Sequence, residues 1–258
     1  MPLRILFAFL CGIVCFSACN DDAVVTPVVP TTDLKMTFKS TYDGSRLIKF
    51  KNYPYGSNNY PLQFNRFTLF LSDVTLLKGT EETRLTESAY LDFTPDNASS
   101  DTSVLLNYTF QNVPEGTYTG IKMGYGVKPS DNGKNPADFP PSSPLYNDNE
   151  YWLGWKSYIF TKIEAQGDAD INNQFDHFMI YHCGGNGVFK TFSFTQPIEV
   201  KSSAAALKVD FDLRKLFIMA DGRYYNMVED PATSNNKDSL RVANDIMSKF
   251  GNATSIAQ

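Results

Sequence analysis

The residues in this chain best suited to hold a metal ion are its two histidines, both in FDHFMIYHCGG, residues 175–185. On a regular strand His177 and His182 point to opposite faces, because side chains alternate and the two are five positions apart. They therefore do not form a two-histidine zinc motif, and a catalytic zinc site with three protein ligands is disfavoured. His182 is the better ligand candidate, since it ends the predicted strand, faces its apolar side and precedes the Gly184-Gly185 turn. In the alternative, which stays open, His182 is a strand-end histidine bonded to a loop carbonyl.

Cys183 follows directly and is a second candidate ligand, because a thiolate is a soft donor suited to Cu(I). On a regular strand its side chain points away from that of His182, although the glycine turn relaxes this restriction. A lone cysteine at such a position is also typical of a small buried hydrophobic residue.

Both tryptophans of the chain, Trp152 and Trp155, lie in EYWLGWKSYIF, residues 150–160, with Tyr151 and Tyr158 beside them. An unmodified indole offers an N–H donor and no lone pair for a metal. It can shield a metal site or present its π face, whereas flat rings with polar handles also suit stacking on a sugar. The stretch therefore predicts a metal site or a glycan-binding surface at this end of the molecule.

A calcium-binding loop is the weaker interpretation of GDADINNQFD, residues 167–176. Oxygen ligands fall at several positions of an EF-hand-like loop, but Asn173 replaces its glycine and Met179 replaces its last glutamate. No flanking helices are predicted, so a solvated hairpin loop between two strands explains the stretch better.

Strands are the elements that must position these residues. Apolar and polar residues alternate in LKMTFK (34–39), TGIKMGYGV (119–127) and LKVDFDL (207–213), which is typical of half-buried antiparallel strands. Turn signals such as Lys78-Gly79 separate further predicted strands at 46–51, 65–77, 83–93, 103–113, 157–165, 175–182 and 189–195. The predicted fold class is all-β: an antiparallel β-sandwich with long loops and a short C-terminal helix.

The helix is predicted from an apolar stripe formed by Leu240, Ala243, Ile246, Met247 and Phe250. Asp238 or Ser239 is expected to cap its beginning, and Gly251 is expected to end it. A long segment, 128–150, has five prolines and no periodicity, and it leads directly into the tryptophan stretch. Because such loops in compact domains are commonly functional, we expect the functional end of the sandwich here.

The N-terminus predicts export. An apolar run from Ile5 to Phe16 is too short to span a bilayer as a mature helix and is typical of a secretory signal. Small residues before Cys19 match a bacterial lipoprotein cleavage site, so residues 1–18 are predicted to be a signal peptide and Cys19 the lipidated first residue. The alternative is an ordinary signal peptide cut near Ala18, which would leave a soluble protein.

Lipidation would anchor the mature protein, because two or three acyl chains hold a protein firmly on a membrane. Asn20-Asp21-Asp22 resembles the acidic stretch that some lipoproteins carry in association with export to the cell surface. We therefore expect an outer-membrane lipoprotein, on the periplasmic or cell-surface face. Residues 19–32 are predicted to be a tether and residues 33–258 a single domain.

Charge and motifs exclude several functions. The net charge is −5 with both signs interspersed, so no basic patch predicts a nucleic-acid partner. Cys11 and Cys15 would leave with the signal and Cys19 would be acylated, so Cys183 would have no partner for an intramolecular disulfide. The sequence has no nucleophile elbow, phosphate loop or Rossmann glycine pattern, and we expect that the protein is not an enzyme.

Five segments also match a family pattern in the same order along the chain. They are RFTLFLSDVTL (66–76), YLDF (90–93), VPEGTYTGIKMGYGV (113–127), YWLGWKSYIFTKIEAQG (151–167) and FDHFMIYHCGG (175–185). Together they resemble the MbnP-like copper-binding family, associated in some members with methanobactin and copper-limited growth. The likeness covers about residues 34–217 and implies an exported β-sandwich protein.

The resemblance also implies a site. In that family copper is held by histidine and by a tryptophan-derived group, which a di-haem partner enzyme oxidises to kynurenine. Carried over, His182 would be the main ligand and Trp152 or Trp155 the shield or oxidised ligand, with a di-haem peroxidase-like protein as partner. Here two residues separate the tryptophans where the family has one, and Lys39 stands where many members carry a histidine. Losing that imidazole would weaken the site or leave it to Met36, Met123 or Cys183.

These observations predict an exported lipoprotein with a copper-binding β-sandwich domain, which handles or scavenges copper and is not catalytic. The candidate metal-site residues are His182, Trp152, Trp155 and Cys183. The alternative function is a surface lipoprotein module that binds glycan or protein with no metal.

Overall fold

The structure is a computed structural model that describes residues 28–94, 105–203, 205–229 and 240–258. The signal peptide and Cys19 lie outside the described residues, as does most of the predicted tether, since the first strand begins at Thr31. Neither helix in the described part of the chain is long and apolar enough to cross a membrane.

Strands dominate the described residues and form two sheets. The smaller sheet contains β1 (Thr31–Tyr42), β2 (Ser45–Arg46), β6 (Leu106–Pro114), β12 (Ala206–Asp212) and β13 (Thr254–Ala257). The larger sheet contains β3 (Tyr53–Tyr55), β4 (Tyr60–Lys78), β5 (Glu81–Asp92), β7 (Gly116–Tyr125), β8 (Tyr151–Trp152), β9 (Ser157–Gly167), β10 (His177–Gly184) and β11 (Lys190–Val200). The α-helices of the described residues are α1 (Pro129–Asn132) and α2 (Arg241–Ala253).

The sheet order confirms the predicted all-β sandwich. The larger sheet runs β10-β9-β4-β7-β11, with β3 and β5 also paired to β4 and with β8 paired to β9. The smaller sheet runs β13-β12-β1-β2, with β6 also paired to β1. One pair departs from the antiparallel expectation: β1 and β12 are parallel, from Lys35 opposite Ala206 to Thr41 opposite Asp212. No hairpin joins these distant strands, so their relative direction is not set by a turn.

Aromatic rings fill the space between the sheets. Phe38 of β1 stacks on Phe211 of β12, with ring centroids 6.3 Å apart, and Phe67 of β4 meets Phe211 edge-on. All three side chains are essentially inaccessible to solvent. Burying each contributes about 1.5–3 kcal/mol, so the core-facing residues of the alternating pattern stabilise the sandwich.

Helix α2 packs its predicted apolar stripe on this core, but its predicted end is wrong. Gly251 lies inside the helix, which continues to Ala253. A Cβ at Gly251 would lie 2.6 Å from Cδ1 of Phe192, so the residue is glycine because a ring of β11 packs against the helix backbone. The predicted caps, Asp238 and Ser239, lie outside the described residues.

The predicted strand at 46–51 is also wrong. Strand β2 ends at Arg46, and the chain turns at Phe50, whose φ of 59° is incompatible with a strand. Segment 128–150 forms α1 and short 3-10 turns at 136–138 and 148–150. It covers the outer face of the larger sheet, where Tyr158 donates a hydrogen bond to the Leu145 carbonyl. This loop therefore positions the tryptophan stretch on the sheet.

Candidate functional site

His182 lies on the outer face of the larger sheet, near the end of β10. Met179, Tyr181 and Cys183 alternate with it and are fully buried, so the prediction that His182 faces the apolar side of the strand is wrong. Its side chain is 17% exposed, and its Nε2 lies 2.8 Å from Oε1 of Glu164 on β9. Because an ionised carboxylate only accepts hydrogen bonds, Nε2–H is the donor.

Glu164 is a site residue that the sequence interpretation missed. The hydrogen bond from His182 holds the pKa of the Glu164 carboxyl below its usual value, and the positive charge of Arg66 acts in the same direction. Partial burial opposes this shift without cancelling it. Arg66 Nη1 lies 3.8 Å from the same carboxylate oxygen that accepts from His182. Glu164 is therefore ionised at neutral pH and holds the imidazole in one orientation.

The two tryptophans lie on a tight hairpin beside this pair. Strand β8 ends at Trp152, which is opposite Ser157 of β9, and Trp155 N–H donates to the Trp152 carbonyl at 3.1 Å. The rings of Trp152 and Trp155 meet edge-on, with centroids 4.2 Å apart. The Trp152 ring lies 6.1 Å from the imidazole of His182, at an interplanar angle of 55°. The structure thus brings an imidazole, a carboxylate and two indoles together.

Cys183 is not brought to this group. Its side chain is fully buried on the opposite face of β10, in the core between the sheets. The alternation of the strand, which continues through residue 183, accounts for this placement. The other histidine, His177, lies at the far end of β10, opposite Gly167, with Nδ1 2.8 Å from Asp176.

A buried polar cluster lies under the stem of the hairpin. Lys162 Nζ is 2.9 Å from Oε2 of Glu150 and donates to the Asn149 carbonyl at 2.9 Å. The Tyr90 hydroxyl donates to Oε1 of Glu150 at 2.8 Å. Burial and the neighbouring Glu150 raise the pKa of Tyr90, so its hydroxyl stays protonated at any physiological pH. Lys162 is opposite His182 in the β9–β10 register, so this cluster adjoins the imidazole.

The calcium-like stretch is a loop between β9 and β10, as the sequence predicts. The Asp168 carboxylate accepts the backbone N–H groups of Asn172 and Asn173, at 3.0 and 2.8 Å. These bonds fold the loop on itself. Within the described residues, no group of three or more histidine, cysteine, aspartate or glutamate side chains is placed to hold a metal ion.

The donors that do converge fit copper better than a hard cation. An imidazole whose second nitrogen is held by a carboxylate is a nitrogen donor that copper accepts, whereas calcium needs six or more oxygens. Metal-ligating histidines commonly donate their other N–H to a carboxylate, which fixes the ring and raises its basicity. His182 and Glu164 have this arrangement, and the ring of Trp152 lies 6.1 Å from the imidazole.

Comparison with known proteins agrees with this architecture. The family model described as MbnP matches residues 31–243. A solved structure, "MbnP from Methylosinus trichosporium", is similar with a TM-score of 0.57 at 19% sequence identity, over 89% of this chain and 99% of that chain. At this identity the structural likeness establishes the fold alone. Among curated proteins, none matches the chain.

Proposed function

The chain belongs to the MbnP family, and from that premise we propose that it is an exported lipoprotein that binds copper at His182 and takes part in copper handling or scavenging. Members of this family are related to copper through methanobactin, so the proposal applies a family property to residues present in this chain. The observation that carries it is the 6.1 Å separation between the rings of His182 and Trp152, at a histidine that is paired with a carboxylate.

The pairing with Glu164 selects the tautomer of His182. A neutral imidazole that donates Nε2–H to the carboxylate has its lone pair on Nδ1, so we assign Nδ1 as the atom that would bind the metal. The negative charge of Glu164 favours a bound cation close by, and Arg66 partly offsets it from the other side. A single imidazole supplies only one protein ligand, so we expect weaker copper binding than at a site with several protein ligands.

The indoles have two roles in this proposal. Unmodified, Trp152 and Trp155 exclude water from one side of the copper, because indole has no lone pair to coordinate it. Oxidised to kynurenine by a di-haem partner, as the family resemblance implies, either residue would gain ligand atoms. Trp152 is the better candidate for this conversion because its ring lies 6.1 Å from that of His182. The protein itself is proposed to be non-catalytic.

The anchoring part of the proposal rests on the N-terminal sequence. Cleavage before Cys19 and acylation of that residue would place the domain on the outer membrane, after a short polar tether. Incorporation of a labelled fatty acid into the wild type, and its loss in C19S, is the expected result. A C19S variant that still carried label would contradict lipidation at this residue.

Copper analysis of purified protein tests the binding proposal. Protein dialysed to equilibrium against copper should hold about one equivalent in the wild type and lose it in H182A. The matched control is H177A, which removes the other histidine of the same strand and should keep its copper. Equal copper in the wild type and in H182A would refute the assignment.

The second candidate function is a surface module that binds glycan or protein without metal. The favouring observation is the tip of the tryptophan hairpin, where Leu153 is 75% exposed next to two aromatic rings. A glycan array that binds the wild type and not W155A, in protein that retains no copper, would support this candidate. An array with no bound glycan would count against its sugar form.

A further inference from the structure

A buried ion pair stands out among the groups that the proposed copper site does not use. Lys162 is 6% exposed and Glu150 is 3% exposed, with Nζ and Oε2 separated by 2.9 Å. Lysine and glutamate are almost never fully buried unless they are paired. Replacing such a pair by neutral residues often costs little stability, so its presence is not explained by stability alone.

The pair joins the two elements that carry the site. Glu150 precedes Trp152 by two residues, at the start of the hairpin. Lys162 lies on β9, directly opposite His182 on β10. The ion pair therefore connects the segment that holds the indole to the strand beside the imidazole.

The other stem of the hairpin is held by a second buried group. Asn132, at the end of α1 and 3% exposed, accepts the backbone N–H of Tyr158 at 2.8 Å and the hydroxyl of Ser157 at 3.2 Å. The hairpin is thus fixed on one side at 150 and on the other at 157–158. Both anchors are shielded from water, whereas the tip between them is exposed, and buried anchors of this kind restrict how far the tip can move.

We propose that Lys162 and Glu150 are positioning residues that hold Trp152 against His182; their consequence for copper rests on the function proposed above. The pair acts in two ways. It fixes the hairpin stem through the Tyr90 and Asn149 hydrogen bonds. In addition, Glu150 neutralises the ammonium group of Lys162, which would otherwise repel a cation at the neighbouring imidazole.

The test is the double variant K162M/E150Q, which leaves no unpaired buried charge and keeps an oxygen for the Tyr90 hydroxyl. We expect a thermal midpoint close to that of the wild type, stronger acrylamide quenching of tryptophan fluorescence, and copper affinity weakened about tenfold. The single variant E150Q, which leaves the cation unpaired, should bind copper more weakly than the double variant. The matched control K122M/E82Q removes an exposed pair from the same sheet, 2.5 Å apart, and should change neither quenching nor affinity.

Two further outcomes separate this inference from its premise. Quenching in K162M/E150Q equal to that of the wild type would overturn the positioning role, regardless of the measured copper affinity. If the wild type binds no copper, the proposed function fails and the quenching comparison still decides the positioning role.

Should the double variant not fold, Y90F tests the same anchor, because it removes one hydrogen bond to Glu150 and keeps the ring. Unchanged quenching in Y90F would then overturn the inference.

Discussion

Removal of the Glu164 carboxylate is the perturbation whose size follows most directly from the geometry. Glu164 accepts from His182 Nε2 at 2.8 Å and is the carboxylate that orients the proposed ligand. Loss of such a partner typically weakens metal binding 10–100-fold, or about 1.4–2.7 kcal/mol. We expect E164A to lie in this range and E164Q nearer its lower end, because glutamine keeps an oxygen acceptor and loses only the charge.

Stability should change much less than copper affinity. The Glu164 side chain is 25% exposed, and ion pairs that water can reach contribute about 0–1 kcal/mol to the free energy of unfolding. Copper affinity measured by competition with a chromophoric chelator, alongside urea unfolding of the apoprotein, separates the two effects. E82Q, at an exposed glutamate of the same sheet, is the control. Copper affinity in E164A equal to that of the wild type would refute the role of Glu164.

Three further predictions concern the fold, the pH dependence and the indoles. G251A should destabilise the protein by about 1–3 kcal/mol in thermal unfolding, since its Cβ would lie 2.6 Å from Phe192; an unchanged midpoint would contradict this packing. The lowered pKa of Glu164 gives a contribution to stability that is fully present above its ordinary value of 4.5 and is lost as the pH falls through the lower folded-state pKa. The stability difference between wild type and E164Q should therefore shrink in acid, and a difference that stays constant below pH 4.5 would exclude this linkage. The intact mass of protein from its native host should be higher by the difference between kynurenine and tryptophan, and W152F should lack this increase. An unmodified mass in the wild type would refute the proposal that an oxidised tryptophan binds copper.

The fold class followed from the alternation and the turn signals between the strands, and the pairing of strands did not. Alternation shows which residues face the core, but it is the same in parallel and antiparallel strands, so the parallel β1–β12 pair left no local signal. The prediction that Gly251 ends the helix was wrong because a glycine near the end of an apolar stripe usually does so. Here the ring of Phe192, about sixty residues earlier in the chain, requires the glycine instead.

The site could be predicted only in part from the sequence, because the pairing of strands decides which side chains meet. The nearness of a tryptophan to His182 came from the family resemblance and is present in the structure. Glu164 was missed because it is one polar residue in the alternating strand 157–167, and only the β9–β10 pairing brings it to His182. Cys183 was nominated because it adjoins His182 in sequence, yet adjacent residues of a strand face opposite ways, and its thiol is in the core. Residue types indicated the chemistry, and strand register decided which residues meet.

Anomalous diffraction at the copper edge would locate the proposed metal ion directly, on crystals grown from full-length mature protein with one equivalent of copper. We expect a single strong peak at ~2 Å from an imidazole nitrogen of His182, a normal metal–imidazole distance. The same peak should lie close to the indole of Trp152, whose ring is 6.1 Å from the imidazole. A copper peak elsewhere on the protein, with none at His182, would refute copper binding at this histidine.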